Sequence, residues 1–288
     1  MNPDGSACVT IGMQKLWFIT NPNSGTTSPA KCEALEAVFE ERGLTLVGRT
    51  HFPEHELPSG AKLTRNKVDT VVLFAGDGTI NAALCALAKW KGSFLILPGG
   101  TMNLLAKALH SELDPHKIVH AAQDEKRRVA LPFVEAGPHR GFVGLILGPA
   151  AAWARAREAA RHGKIGRLLQ AGRAAWRRTF GRDGIRIAGA PGLNHRYQAV
   201  FVTPDKGGLE VAAVDARDWR SIVQLGWDWL SGDWVAARAV TETKAEQLRV
   251  EGTRPVLALF DGEPVTLDPH ETIRAGMSAK AFIATREE

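Results

Sequence analysis

Little in this chain points to disulfides, metals or a membrane span. Among its 288 residues there are three cysteines, Cys8, Cys32 and Cys85. They are scattered, odd in number and part of no CxxC or Cys/His cluster, which argues against a disulfide framework and against a zinc site. Cys85 lies in an apolar helical run and is expected to be a small buried hydrophobe. No apolar run reaches the roughly 20 residues that span a bilayer. The longest uncharged stretch, 141–154, holds Gly and Pro and is bounded by Arg140 and Arg155. The N-terminal MNPDGSACVTIGMQKLW has no basic segment followed by an apolar one, so no secretory signal is expected. A GxxxxGK[ST] sequence is missing, which excludes a P-loop NTPase. GxGxxG with a following ribose-binding acid is missing as well, so a dinucleotide-binding Rossmann site is not expected. There is no internal repeat and no low-complexity tract.

What is present is globular. The chain is 44% hydrophobic and 23% charged, and its length suits about two domains. Lys+Arg number 36 against 31 Asp+Glu, a net charge of +5. That excess suits a nucleotide, a nucleic acid or a membrane surface without choosing among them. In the first third, strand-like runs at 16–20, 44–49, 70–75 and 94–97 alternate with helical patterns at 30–42, 79–90 and 101–110. That alternation predicts a parallel sheet built from βαβ units. After residue 125 short β-like runs dominate, at 128–134, 140–147, 184–188, 197–203, 209–214, 247–250, 256–260 and 264–267. A helical region at 152–180 interrupts them, and a final strand-like run, 280–285, can return to either domain. The expected organisation is an α/β, Rossmann-like domain over 13–125, which 270–286 could complete. An antiparallel, sandwich-like β domain follows over 126–269.

The chemistry is written in turns. Ala75-Gly76-Asp77-Gly78-Thr79-Ile80-Asn81 stands directly between an apolar strand and a helix. Glycines let the backbone approach a ligand closely, and a helix start offers unpaired N–H groups and a positive dipole end suited to phosphate. Asp77 adds a carboxylate where a magnesium–phosphate group would sit, and Thr79 and Asn81 can cap the helix or bond the ligand. Alone, such a turn is as easily a tight strand-to-helix connection. Leu97-Pro98-Gly99-Gly100-Thr101-Met102-Asn103 repeats the arrangement, and Asn21-Pro22-Asn23-Ser24-Gly25 follows the first strand. All three fall at the C-terminal edge of a parallel sheet, where such sheets bind ligands.

NPNSG, AGDGTIN and PGGTMN together resemble the conserved blocks of the diacylglycerol kinase catalytic family, which includes soluble bacterial lipid kinases, sphingosine kinases and ceramide kinases. The late Phe260-Asp261-Gly262-Glu263-Pro264 resembles that family's DGE block. The resemblance implies an ATP-dependent lipid kinase that uses Mg2+ and transfers the γ-phosphoryl group to the hydroxyl of a diacylglycerol, ceramide or sphingoid-type lipid. Asn21, Ser24, Gly25, Gly76, Asp77, Gly78, Thr79, Asn81, Gly100 and Thr101 would then bind nucleotide, with Asp77 near the magnesium. Thr50 falls where the family often has a nucleotide-contacting threonine. Glu263 falls at the position of the general base, with Asp261 beside it. Without the upstream turns, Asp261-Gly262 reads as a hairpin turn. The sequence departs from the family at Ala75, at Leu104 and at Lys206, where an acid that helps hold a structural metal is replaced. It also departs in 143–153, which lacks the usual aspartate. An NAD kinase-like enzyme and a non-enzymatic lipid-binding relative are the alternatives.

Much of the positive charge lies in 153–186, with ten basic and two acidic residues. Over 165–180 it forms an amphipathic pattern whose polar face carries Arg167, Arg173, Arg177 and Arg178. One reading is a helix packed on the β domain. The other is docking on an anionic membrane surface, joined by Trp219, Trp227, Trp229 and Trp234, which suit either a core or an interfacial rim. Nucleic acid is disfavoured, because no aromatic-interleaved motif accompanies the arginines. The expected location is cytoplasmic, with transient docking at the inner membrane face.

Overall fold

The computed structural model describes residues 13–101, 103–125, 127–148, 151, 184–214 and 240–286. The expected helix at 152–180 and the tryptophan cluster at 219–234 lie outside them. The described residues fall into two compact units, one up to Val129 together with those from Lys280, the other from Ala130 to Ala279.

The first unit runs β1 (Lys15–Thr20), α1 (Pro29–Glu41), β2 (Thr45–His51), α2 (Gly60–Arg65), β3 (Thr70–Ala75), α3 (Asp77–Ala86), β4 (Ser93–Pro98), α4 (Leu104–Leu109), α5 (Pro115–Glu125) and β5 (Arg128–Val129). The second holds β6 (Pro132–Ala136), β7 (His139–Gly141), β8 (Leu145–Leu147), β9 (Arg186–Ala188), β10 (Ala199–Asp205) and β11 (Gly208–Val214). It continues with β12 (Val240–Ala245), β13 (Gln247–Glu251), β14 (Val256–Phe260), β15 (Glu263–Leu267) and β16 (Thr272–Met277). The chain then returns to the first unit as β17 (Phe282–Ile283), which pairs with both β4 and β5.

The first unit is α/β, with sheet order β2-β1-β3-β4-β17-β5 and parallel pairing throughout except between β17 and β5. β3 (TVVLFA) and β4 (SFLILP) are buried at every position, as strands covered on both faces must be. Alternate residues Leu16, Phe18, Val72, Phe74, Leu95 and Leu97 face one core, shared with Leu35, Val38 and Phe39 of α1 and Ile118 and Val119 of α5. α1 starts where Ser28 accepts from the Lys31 amide and Pro29 fits the first helical position. The buried Trp17 ring lies over β2 at Gly48, where an added Cβ would come within 2.5 Å of the indole.

The second unit is the expected antiparallel β domain. Its six-stranded sheet, β12-β11-β10-β8-β14-β15, and its five-stranded sheet, β7-β6-β16-β13-β9, share one core. Leu147, Val202, Val211 and Phe260 come from the first sheet, and Val134, Leu248, Val250 and Ile273 from the second. β13 (QLRVE) alternates exposed and buried residues, as a half-buried strand does.

Several expectations are corrected locally. Cys85 is exposed, because Ile80, Ala83 and Leu84 define the buried face of α3 and the next position turns away from it. The run at 128–134 is two strands in different sheets: Val129 pairs with Phe282, Pro132 with Met277. α4 begins at Leu104 rather than at residue 101, because the left-handed Asn103 (φ 52°) belongs to the preceding turn.

Candidate functional site

The sheet order reverses at β1: its neighbours are β2 and β3, so the connections leaving β1 and β3 diverge and open a crevice at their C-terminal edge. The turns after β1, β3 and β4 all lie on that edge, and the structure brings them into contact. A Cβ on Gly99 would lie 2.5 Å from the Ala75 amide nitrogen, one on Gly100 2.7 Å from Gly76 Cα, and one on Gly25 2.9 Å from Thr101 Oγ1. Gly99 and Gly100 are therefore required by backbone packing of turn on turn, and Gly25 lies against the Thr101 hydroxyl.

Side chains fasten the turns. Ser24 Oγ accepts from the Gly76 amide at 3.0 Å, and Asn21 Nδ2 donates to Thr79 Oγ1 at 2.9 Å. Asn21 Oδ1 closes its own turn by accepting from the Asn23 amide. Thr27 Oγ1 donates to the Gly99 carbonyl at 3.0 Å, and Thr26 Oγ1 to that of Gly100 at 3.4 Å. Asn103 Oδ1 accepts from the Gly100 amide at 2.7 Å. Of these fasteners, Thr26, Thr27 and Asn103 are the ones sequence reading missed. The signal for two of them, a Thr-Thr pair directly after NPNSG, was present.

The two helix starts on this edge differ. The start of α4 is filled from within: Asp77 Oδ1 accepts from the Leu104 amide at 2.9 Å. The start of α3 has Gly76 as its cap residue, which has no side chain to cap with; the Gly76 amide donates to Ser24 Oγ, and the Asp77 amide to the Asp77 carboxylate itself. The positive end of the helix dipole at this start suits an anion. Burial pushes the Asp77 carboxyl above its usual range, against the lowering effect of the Leu104, Leu105 and Asn103 amides.

Among the described residues no group of three or more acids, histidines or cysteines is placed to hold a metal. At the three turns Asp77 is the single acid. A magnesium ion is commonly held by one or two carboxylates together with substrate phosphates and water, and that donor set fits a site with one aspartate. Asn81 is buried on α3, beside the Cys85 thiol. Thr50 is 3% exposed on β2, and its hydroxyl accepts from Trp17 Nε1 at 3.0 Å.

Asp261 and Glu263 lie in the second unit. Asp261 and Gly262 form a two-residue hairpin between β14 and β15, both with positive φ (49° and 88°), as an Asp-Gly primed turn requires. The buried Asp261 carboxylate accepts from the amides of Phe142 (2.8 Å), Val143 (2.8 Å) and Gly144 (3.0 Å). It thereby fixes the loop entering β8. Glu263, the first residue of β15, is exposed. Asp205 at the end of β10 and Glu210 on β11 both meet Lys244 Nζ, at 3.6 and 2.9 Å.

Residues 15–132 match the family described as the diacylglycerol kinase catalytic domain. A Streptococcus pneumoniae serotype 4 (strain TIGR4) protein named "Putative lipid kinase" is 32% identical over 116 residues, covering 35% of this chain and 36% of that one. The match thus spans about a third of that relative's length. A Bacillus anthracis str. Sterne structure described as a diacylglycerol kinase superposes with a TM-score of 0.63 at 16% identity, covering 94% of this chain and 97% of that one. A second structure from the same organism gives 0.61 at 19% identity with the same coverage. At those identities the likeness is one of fold.

Proposed function

We propose, on the match of residues 15–132 to the diacylglycerol kinase catalytic domain, that the chain transfers the γ-phosphoryl group of ATP to the hydroxyl of a membrane lipid of the diacylglycerol, ceramide or sphingoid type. The observation that carries the reading is the convergence of three fastened turns on the start of α3, inside the matched segment. In this reading Ser24, Gly25, Gly76, Gly78, Thr79, Gly100 and Thr101 cradle the phosphates. Asn21 orients the turn between β3 and α3 through its bond to Thr79, and Asn81 and Thr50 complete the nucleotide site. Asp77 would hold a magnesium ion, which would offset phosphate charge. Because Asp77 also anchors the start of α4, nucleotide binding and the geometry of the third turn are coupled through one carboxylate.

The lipid hydroxyl attacks the γ-phosphorus, the bond to the β–γ bridging oxygen breaks, and ADP leaves. Glu263 takes the hydroxyl proton. Asp261, committed to three backbone amides, is the positioning residue of its hairpin. The anionic membrane surface is proposed as a partner on the charge of 153–186 alone.

The test is transfer from γ-labelled ATP to a panel of lipid alcohols in vesicles, with NAD as a soluble competitor and products identified by mass. Label in a lipid supports the reading. Label in NAD alone establishes the NAD kinase-like alternative, and lipid binding without turnover establishes the non-enzymatic one.

A further inference from the structure

At the opposite edge of the first sheet, where β3 and β4 begin, the same unit carries a cavity of about 770 Å³. It is bounded by α2, by the residues leading into β3, and by the segment that joins α3 to β4. This edge is remote from the glycine turns by the length of the strands. Its floor is apolar, with Ala61, Val68, Leu87 and the half-buried Trp90. Trp90 is held in place: its ring stacks edge-on against Phe94 with centroids 5.5 Å apart. It also lies over Gly92, where a Cβ would come within 2.1 Å of the indole.

The rim is cationic. Lys67, Lys89 and Lys91 are exposed and line the opening, with Arg128 beside them. Among the described residues none of the three lysines has an ion pair or side-chain hydrogen bond, in contrast to Arg49, Lys117 and Lys244, which have acidic partners. The acid in the lining, Asp69, is already engaged: its carboxylate accepts from the Gln14 and Lys15 amides and from Thr70 Oγ1. Three exposed ammonium groups without an acidic partner among the described residues thus border one apolar, tryptophan-floored cavity. A dianionic ligand would supply their counter-charge, and its apolar portion would cover the indole.

We propose that this cavity is a second binding site, distinct from the glycine turns, for a phosphomonoester that carries an aromatic or aliphatic portion. The lysines hold the phosphate as point charges, and Trp90 with its apolar neighbours takes the remainder. The ligand class is shared by soluble organic phosphates and by phosphomonoester lipid headgroups. The site does not depend on the kinase reading.

The experiment uses the full chain and two probes. Phenyl phosphate is titrated calorimetrically against wild type, with phenol as the uncharged control. In parallel, sedimentation measures binding to phosphatidylcholine vesicles with and without phosphatidate. Two variants report on the cavity. The triple Lys67→Gln/Lys89→Gln/Lys91→Gln removes the charge at exposed positions, and Ala61→Trp fills the space without changing charge. Folding of both is verified by circular dichroism and thermal unfolding. The expected result is that phenyl phosphate binds, phenol does not, and each variant weakens binding about tenfold or more. If the variants lose binding only to phosphatidate vesicles, the phosphate is that of a lipid headgroup; if only to phenyl phosphate, it is a soluble one. Equal binding by wild type and both variants in both arms overturns the proposal, as does the absence of binding by wild type to both probes.

Discussion

His110 should make the first unit acid-labile in a predictable way. Its ring is 3% exposed at the end of α4, between the Ile96 carbonyl (2.9 Å from Nε2) and Thr285 Oγ1 (3.0 Å from Nδ1). A carbonyl only accepts, so Nε2 carries the proton and Nδ1 accepts from the threonine hydroxyl. The ring thus bolts α4 to β4 and to the chain end returning after β17. Burial pushes its pKa from 6.5 down to about 4. The unfolded chain therefore binds a proton that the folded one refuses between those values, and stability must fall as pH drops through that window. The gap from 6.5 to about 4 sets a ceiling of about 3 kcal/mol, of which about 2 kcal/mol is lost between pH 7 and pH 5. Urea unfolding followed by tryptophan fluorescence at the two pH values measures it. His110→Leu should cost about 1–3 kcal/mol at pH 7, by orphaning the Ile96 carbonyl and the Thr285 hydroxyl. It should also remove the His110 share of the pH dependence. A wild-type loss between pH 7 and 5 that persists undiminished in His110→Leu refutes the argument.

Four further outcomes follow, three from the geometry and one from the charge of 153–186. Gly100→Ala places a methyl 2.7 Å from Gly76 Cα and should destabilise by about 1–3 kcal/mol while weakening nucleotide binding by calorimetry. Gly76→Ala meets nothing closer than 3.4 Å and should unfold at nearly the wild-type temperature. Asp261→Asn turns an amide NH2 toward one of the amides of Phe142, Val143 or Gly144. Thermal unfolding should register a loss of about 2–3 kcal/mol. Reversing Arg173, Arg177 and Arg178 to Glu should reduce sedimentation with anionic vesicles and leave ATP affinity unchanged. An equal loss of both would place those arginines with the nucleotide instead.

The strands of the first sheet were legible because β3 and β4 are covered on both faces and read as unbroken apolar runs. The three turns were legible because Gly, Asn, Ser and Thr cluster at strand ends. What stayed hidden was set by tertiary pairing. α2 is six residues long, too short for a periodic signal. Among its described side chains α5 buries three, Ile118, Val119 and Ala122. β12 and β16 are broken by charged or small residues, Glu242 and Lys244 in one and Arg274 and Gly276 in the other. That Asp77 reaches across to the α4 amides, and that Asp261 holds three amides more than a hundred residues upstream, depends on contacts no local pattern encodes.

The central claim is phosphoryl transfer from ATP to a lipid hydroxyl with Glu263 as the proton acceptor. Its most direct test is label transfer from γ-labelled ATP to vesicle-borne lipid alcohols by wild type and by Glu263→Gln. Glu263 is exposed, so the variant should unfold with the wild type. The account predicts a labelled lipid whose rate of formation drops about a hundredfold or more in the variant. A wild type that labels no lipid, or a variant that labels it at the wild-type rate, contradicts it.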